Sequence, residues 1–262
     1  MPHILTHRSI ATLARFASSN VLVAFDYDGT LAAIASSPTR ARMRVRTERL
    51  LRAVAARYPC VVISGRMRAD IARRIERVPL WHVAGNHGVE PWGEGEREVY
   101  ASRVRGWMPS LRRRLAAHEG VVIEDKTYSV TVHYRHARRK RLAIRAIVDG
   151  ARRLRGSRVM GGNQAVNVVP RGAPHKGIAL ERVRNLLACD TIIYMGDDDT
   201  DEDAFRAATP DRLLAIRIGA KRGSRARHWL KSQAEVDAFL QTLLALRPKR
   251  YRRQAIPRAS SK

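Results

Sequence analysis

The chain has 262 residues, enough for one large core or two packed domains, and its hydrophobic fraction of 45% is ordinary for a globular protein. Lys and Arg number 50 against 24 Asp and Glu, a net charge of +26 that brings nucleic acid or anionic membranes forward as partners. No apolar run reaches membrane-spanning length, and His3, His7, Arg8 and Arg15 interrupt any signal-peptide core, so a soluble, cytoplasmic protein is the expectation.

Residues 1–20 lack acids, a composition shared by transit peptides and by any short basic leading helix. Val21 to Phe25 are apolar and too short for a helix, which predicts a buried strand. Asp26 and Asp28 then leave its carboxyl end, where open α/β sheets place ligands. Side chains two apart on an extended strand share a face, so both carboxylates can address one reacting centre before Gly29 turns the chain and Thr30 adds a hydroxyl. An Asp-rich turn has the same composition. The rest of the chain has to decide between the two.

Apolar periodicity predicts helices over 47–57 and 68–77, with strands over 61–63 and 81–84. Ser64 follows its strand, where its hydroxyl and the amides of Gly65 and Arg66 could bind an anion, although Ser-Gly is also common in plain turns. Residues 86–170 break the strand–helix alternation. Strands over 121–126, 129–135 and 165–169 with basic helices over 99–118 and 136–154 suggest an inserted α+β domain. Lys176 opens a helix over 177–187; a cation is unfavourable there unless an anion faces it.

A strand over 191–196 leads into an acidic run in which six of the seven residues 197–203 are Asp or Glu. Charges that close repel unless a cation compensates them, so a divalent metal is one explanation and a solvated acidic helix start is the other. An EF-hand fails, because Glu202 stands where that loop needs glycine and Ala208 where it needs glutamate. A helix over 202–208, a strand over 213–219 and a helix over 234–246 complete the pattern. Cys60 and Cys189 have no metal-ligand spacing and read as reduced, buried thiols. The fold class expected is α/β: a Rossmann-like parallel sheet flanked by helices, formed by 1–85 and 171–246, with a smaller α+β cap at 86–170 and a basic, disordered tail at 247–262.

In order, the chain carries DxDGT, Ser64 after a strand, Lys176 before a helix and GDDxxD after a strand. This order resembles the haloacid-dehalogenase superfamily of aspartate-nucleophile phosphatases. The resemblance implies Asp26 as nucleophile, Asp28 as general acid and base, and Mg²⁺ held by Asp26, the Asp28 carbonyl and Asp197. It also implies Ser64 and Lys176 on the phosphoryl oxygens, with Thr30 and Gly65 beside them and Asp198 and Asp201 as auxiliary groups. The strings ISGR, GNHG, EDK, HYR and GDDDTDE narrow the resemblance to trehalose-6-phosphate phosphatases, over residues 20 to 245. That family implies Glu124 and Lys126 on sugar hydroxyls and Arg66, Asn86 and His87 lining the core–cap cleft, though Glu124 and Lys126 also fit an ordinary charged strand.

One residue departs from the family pattern: Asn167 stands where most relatives carry glutamate, which removes a charge near the second sugar and bears on sugar identity. The alternatives are therefore a phosphatase of another sugar or glycosyl-acid phosphate, and a basic nucleic-acid-binding protein without catalysis. Against the last, arginine is spread along helices without a helix-turn-helix, zinc-finger or stacking pattern, and its abundance can reflect genomic base composition; nucleic acid is expected only through non-specific electrostatics. Nothing in the sequence sets an oligomeric state.

Overall fold

The computed structural model describes residues 1–35, 40–162 and 164–247. The expected tail beyond Arg247 lies outside the described residues. In chain order the first half of the core contains α1 (His7–Ser18), β1 (Val21–Phe25), α2 (Val45–Ala55), β2 (Cys60–Ile63), α3 (Arg68–Arg74) and β3 (His82–Ala84). There follow α4 (Glu94–Leu115), β4 (Val122–Asp125), β5 (Val130–His133), α5 (Lys140–Arg152), β6 (Ser157–Gly162) and β7 (Ala165–Pro170). The chain then returns through α6 (Lys176–Leu186), β8 (Thr191–Gly196), α7 (Glu202–Phe205), β9 (Leu213–Ile218), β10 (His228–Leu230) and α8 (Val236–Leu246).

Six strands form one sheet in the order β10-β9-β8-β1-β2-β3, and every pairing is parallel. Such a sheet must be covered on both faces, and the strands show it. Val21, Val23 and Phe25 of β1 join Leu51, Phe239, Leu240 and Leu243 in one core layer, while Leu22 and Ala24 join Leu180, Val183, Tyr194 and Phe205 in the other. The helices supply matching stripes at three- and four-residue spacing, such as Leu50, Leu51, Val54 and Ala55 of α2 and Val236, Phe239, Leu240 and Leu243 of α8. From β1 the chain first builds outward to β2 and β3, then comes back to lay β8 on the other side of β1. The β1–β8 boundary is thus a topological switch point, and the carboxyl ends of both strands open into its crevice.

The inserted segment forms a second, antiparallel sheet, β4-β5-β7-β6. Val130, Val132, Val166 and Val168 face α4 and α5 in a separate apolar cluster with Val104, Trp107, Leu111 and Ile147. Period-two alternation puts Thr131 and His133 on the opposite face, and the register aligns Glu124, Thr131, Asn167 and Met160 in one row across it. That face looks back at the parallel core: Arg158 of β6 bridges to Asp203, and Lys126 Nζ donates to the Gly65 carbonyl at 3.2 Å.

The α/β class and the mixed insertion are as the residue pattern predicts, with local differences. Strands β6 and β10 were not predicted. The first reads Ser-Arg-Val-Met-Gly-Gly, a weak strand former held by its ladder with β7; the second has three residues held by β9. The helix expected over 202–208 is only the turn Glu202–Phe205 behind a 3-10 turn at Asp199–Asp201. Helix α4 begins earlier than expected and runs through Pro109, which lies on its exposed side. Both cysteines are free and buried.

Candidate active site

The register of β1 and β8 builds the site. Phe25 is level with Met195, and the Asp26 amide donates to the Met195 carbonyl at 2.8 Å, so Asp26 and Asp197 leave neighbouring strands side by side. Gly29, at φ +82°, lies so close to Asp197 that a Cβ there would come within 2.0 Å of its carboxylate. Only glycine permits both that backbone angle and that approach.

Lys176 is the first residue of α6 and is 2% exposed. Its ammonium donates to Asp26 Oδ1 and to Asp201 Oδ1, both at 2.7 Å. The anion that a lysine at a helix start requires is thus a pair of buried carboxylates. Asp201 is wholly buried and fully used: Tyr194 Oη donates to it at 2.6 Å and the Asp198 amide at 2.9 Å, closing a capping box with Asp198. A Cβ on Gly196 would strike this carboxylate at 2.2 Å.

Asp26, Asp197 and Asp201 bring carboxylate oxygens within 4.8 Å of one another. Burial pushes Asp26 up to about 8 against the pull of Lys176, with Asp201 and Asp28 adding to the rise. Burial also pushes Asp197 up to about 9, helped by Asp26 and Asp201. Burial alone would lower Lys176, but the charges of Asp201 and Asp26 reverse it and hold the ammonium protonated. Three carboxylates therefore face one bonded ammonium, and Asp197 Oδ1 is buried without a hydrogen-bond partner among the described residues. Hard oxygen donors crowded around an orphaned carboxylate oxygen fit a small divalent cation.

Asp28 stands at the cleft, its side chain 39% exposed. Arg66 grips it with a two-pronged fork, Nε to Oδ2 and Nη2 to Oδ1, both 2.7 Å, and reaches Asp70 at 2.8 Å with Nη1. Arg66 therefore meets the cleft through Asp28. Ser64 is buried just beyond β2, its Oγ accepting from the Arg66 amide at 3.2 Å, and Thr30 Oγ1 is buried without a partner among the described residues.

Asn86 and His87 adopt left-handed backbone angles, φ 48° and 58°, a strain of roughly 1–3 kcal/mol each that surrounding contacts must offset. Asn86 braces the two sheets: its oxygen accepts from Ser129 at 2.9 Å, and its amide donates to Glu90 and to the Lys126 carbonyl. His87 packs on Gly65, where a Cβ would come within 2.5 Å of the ring. Burial, with Lys126, Lys176 and Arg158 nearby, drives its pKa far down and keeps it neutral, and neither ring nitrogen has a partner among the described residues.

On the cap, burial pushes Glu124 up, but the His133 bond at 2.8 Å and the Lys126 charge outweigh it and leave the carboxyl below its usual value. Lys126 is lowered by burial and lies 3.8 Å from Glu124. Asn167 accepts from Thr131 at 2.8 Å and donates to the Gly161 carbonyl at 3.3 Å, so its amide is engaged within the cap sheet.

Three residues that the sequence did not single out, and His133, which it marked only within the string HYR, support the site. Buried Arg217 holds the acidic loop by donating to the Asp197 carbonyl at 2.5 Å, the Asp198 carbonyl at 3.2 Å and Glu202 at 3.0 Å. Its signal was an arginine inside the otherwise apolar strand LLAIRI. Tyr194 orients Asp201, His133 holds Glu124 and Arg158 ties β6 to Asp203. His133 lies in the string HYR, whereas Tyr194 and Arg158 stand in no local pattern, because each partner is distant or the residue is hidden in an apolar strand.

A parallel sheet with an acidic switch point and an inserted antiparallel sheet is a fold also found in the haloacid-dehalogenase superfamily. A subclass IIB sugar phosphatase of that superfamily superposes with a TM-score of 0.57 at 13% identity, covering 84% of this chain and 97% of its own. The C-terminal domain of C. albicans trehalose-6-phosphate phosphatase superposes more closely, with a TM-score of 0.76 at 21% identity over 94% of this chain and 98% of that one. The chain belongs to the trehalose-phosphatase family, which it matches over residues 24–235. It is 35% identical over 233 residues to the trehalose-phosphate phosphatase of Mycobacterium ulcerans, covering 83% of this chain and 60% of that protein. The chain thus spans 60% of the length of that relative.

Proposed function

We propose that this chain hydrolyses trehalose 6-phosphate to trehalose and inorganic phosphate in a Mg²⁺-dependent reaction through an aspartyl-phosphate. The observation that carries this reading is the buried Lys176 bridge between Asp26 and Asp201, with an orphaned Asp197 oxygen in the same cluster of carboxylates. Asp26, the Asp28 carbonyl and Asp197 would hold Mg²⁺, which supplies the charge that lets a carboxylate approach a phosphate dianion.

Asp26 attacks phosphorus as the bond to the sugar oxygen breaks, and Asp28 gives its proton to that oxygen. Asp28, again a carboxylate, then takes a proton from water; the water oxygen bonds to phosphorus, the Asp26–phosphorus bond breaks, and phosphate leaves. Lys176 and Ser64 steady the phosphoryl oxygens, the cap residues Glu124 and Lys126 engage sugar hydroxyls, and His87 lines the cleft between core and cap. The test is phosphate release from a panel of sugar phosphates with Mg²⁺ present. Turnover of trehalose 6-phosphate should exceed that of monosaccharide phosphates by at least about 10- to 200-fold, the scale on which a pocket discriminates even a single missing methylene. Equal rates across the panel would refute the disaccharide assignment.

Asn167 favours a second reading, a related sugar phosphate. With its amide tied to Thr131 and Gly161, that row of the cap offers no second carboxylate to a distal ring. The same panel separates the two.

Glu124→Gln is expected to raise KM by about 10-fold while leaving kcat within a few-fold, because the contact is made equally in ground and transition states. A pure kcat effect would place Glu124 in the chemistry instead.

Metal removal has a signed pH dependence. Asp26 and Asp197 have folded pKa values above their unfolded ones, so the stability of the metal-free protein is fully present at acid pH and falls as pH rises through about 8 to 9. EDTA should therefore abolish phosphate release, and adding Mg²⁺ should raise Tm more at pH 8 than at pH 5. A chelator-insensitive activity, or an equal Tm increment at both values, would refute the cation site.

A further inference from the structure

The proposed reaction uses the acidic cleft and leaves the chain's largest anomaly, its net charge of +26, without a role. A preference for arginine over lysine does not produce it, because exchanging one cation for the other leaves 50 basic residues against 24 acidic ones. The excess has an address in the fold. Helices α4 and α5 turn their apolar stripes onto the cap sheet through Val104, Trp107, Leu111 and Ile147. Their outer faces expose Arg112, Arg113, Arg141, Arg145 and Arg152; among the described residues the exposed acids on the two helices are Glu96 and Glu98 in the first turns of α4, away from these arginines in sequence, and Asp149 on α5. Arg112, Arg113, Arg141 and Arg145 have no ion pair among the described residues. Like charges gathered on one helical layer repel one another and are relieved by an anionic partner.

We infer that the outer helical layer of the cap docks the phosphate backbone of duplex nucleic acid, without reading its sequence. Guanidinium groups suit bidentate contact with phosphate. The layer lacks the exposed aromatic side chains on which single strands stack, since Trp107 is buried. It also lacks the exposed apolar face of a membrane-surface helix, because that face is spent on the cap core and the large apolar side chains exposed on the two helices are two isolated ones, Val99 on α4 and Leu142 on α5. The layer lies on the far side of the cap sheet from the row Glu124–Thr131–Asn167, so a duplex bound there leaves the cleft open. For the same reason the charge is poorly placed to steer a small substrate into the cleft.

The experiment is fluorescence anisotropy of the full chain with a labelled 16-bp duplex between 50 and 200 mM KCl. Binding is expected with a steep log–log salt slope. The variant R112Q/R113Q/R141Q/R145Q should lower that slope by about 2–4 and weaken binding on the order of 10²-fold at low salt, with Tm and phosphate release unchanged. Replacing the same four with lysine should preserve the slope. An unchanged slope in the glutamine variant overturns the inference, because the charge that binds then lies elsewhere, residues 248–262 included. So does binding to anionic vesicles that depends on these arginines without any duplex binding.

Discussion

Asp26→Asn should lose phosphate release by on the order of 10⁴- to 10⁶-fold, the scale seen when a nucleophile that works as part of a unit is removed. The substitution is nearly isosteric, and an amide neither attacks phosphorus at a useful rate nor supports a cation as a carboxylate does. Stability should move the other way. Burial already raises Asp26 to about 8, so its ionised form is costly in the metal-free fold above the ordinary carboxylate range. A neutral side chain removes that cost, and Lys176 keeps its second partner, Asp201, at 2.7 Å. The metal-free variant should therefore have a Tm equal to or above the parent's at pH 8 while turnover is lost. Full activity would overturn the nucleophile assignment, and a collapsed Tm would assign the loss to unfolding.

Lys176→Met should be the most destabilising single change in the site. It removes the ammonium bonded to Asp26 and Asp201 and leaves Asp26, Asp197 and Asp201 crowded together in the interior. Breaking a buried pair by deleting one partner costs about 3–5 kcal/mol, because the surviving charge is uncompensated. The pH dependence identifies the cause. Lys176 has a folded pKa raised above its ordinary value, so its contribution is present throughout the neutral range, and without it the carboxylates rise further. The Tm deficit should be small at pH 5, where the carboxylates can hold protons, and large at pH 8. Mg²⁺ should recover part of it. A deficit that does not change with pH would make Lys176 a packing residue rather than the site's internal cation.

The legible part of the protein was the part written in adjacent residues. Val21 to Phe25 announced a strand because five consecutive apolar residues bury both faces of a parallel sheet. Lys176 announced an anion because a helix start repels cations, and its partners are two carboxylates. Strand β6 was not legible, since Ser-Arg-Val-Met-Gly-Gly has little intrinsic β preference and exists through its ladder with β7. Arg66 was expected to line the cleft, and its guanidinium instead clasps Asp28 and Asp70. A motif can identify such an arginine, but its partners 38 and 4 residues away are chosen by packing.

The sequence by itself determined the class of fold, the order of its chemical groups and the family they belong to, because strand periodicity and short motifs are local. Only the tertiary structure decided which carboxylate is orphaned, which is spent on a lysine, and which way the cap's polar row faces. Those depend on register, burial and approach distances between segments from 25 to 150 residues apart. Asp26 and Lys176, 150 residues apart in sequence, meet at 2.7 Å because β1 and α6 converge on one switch point.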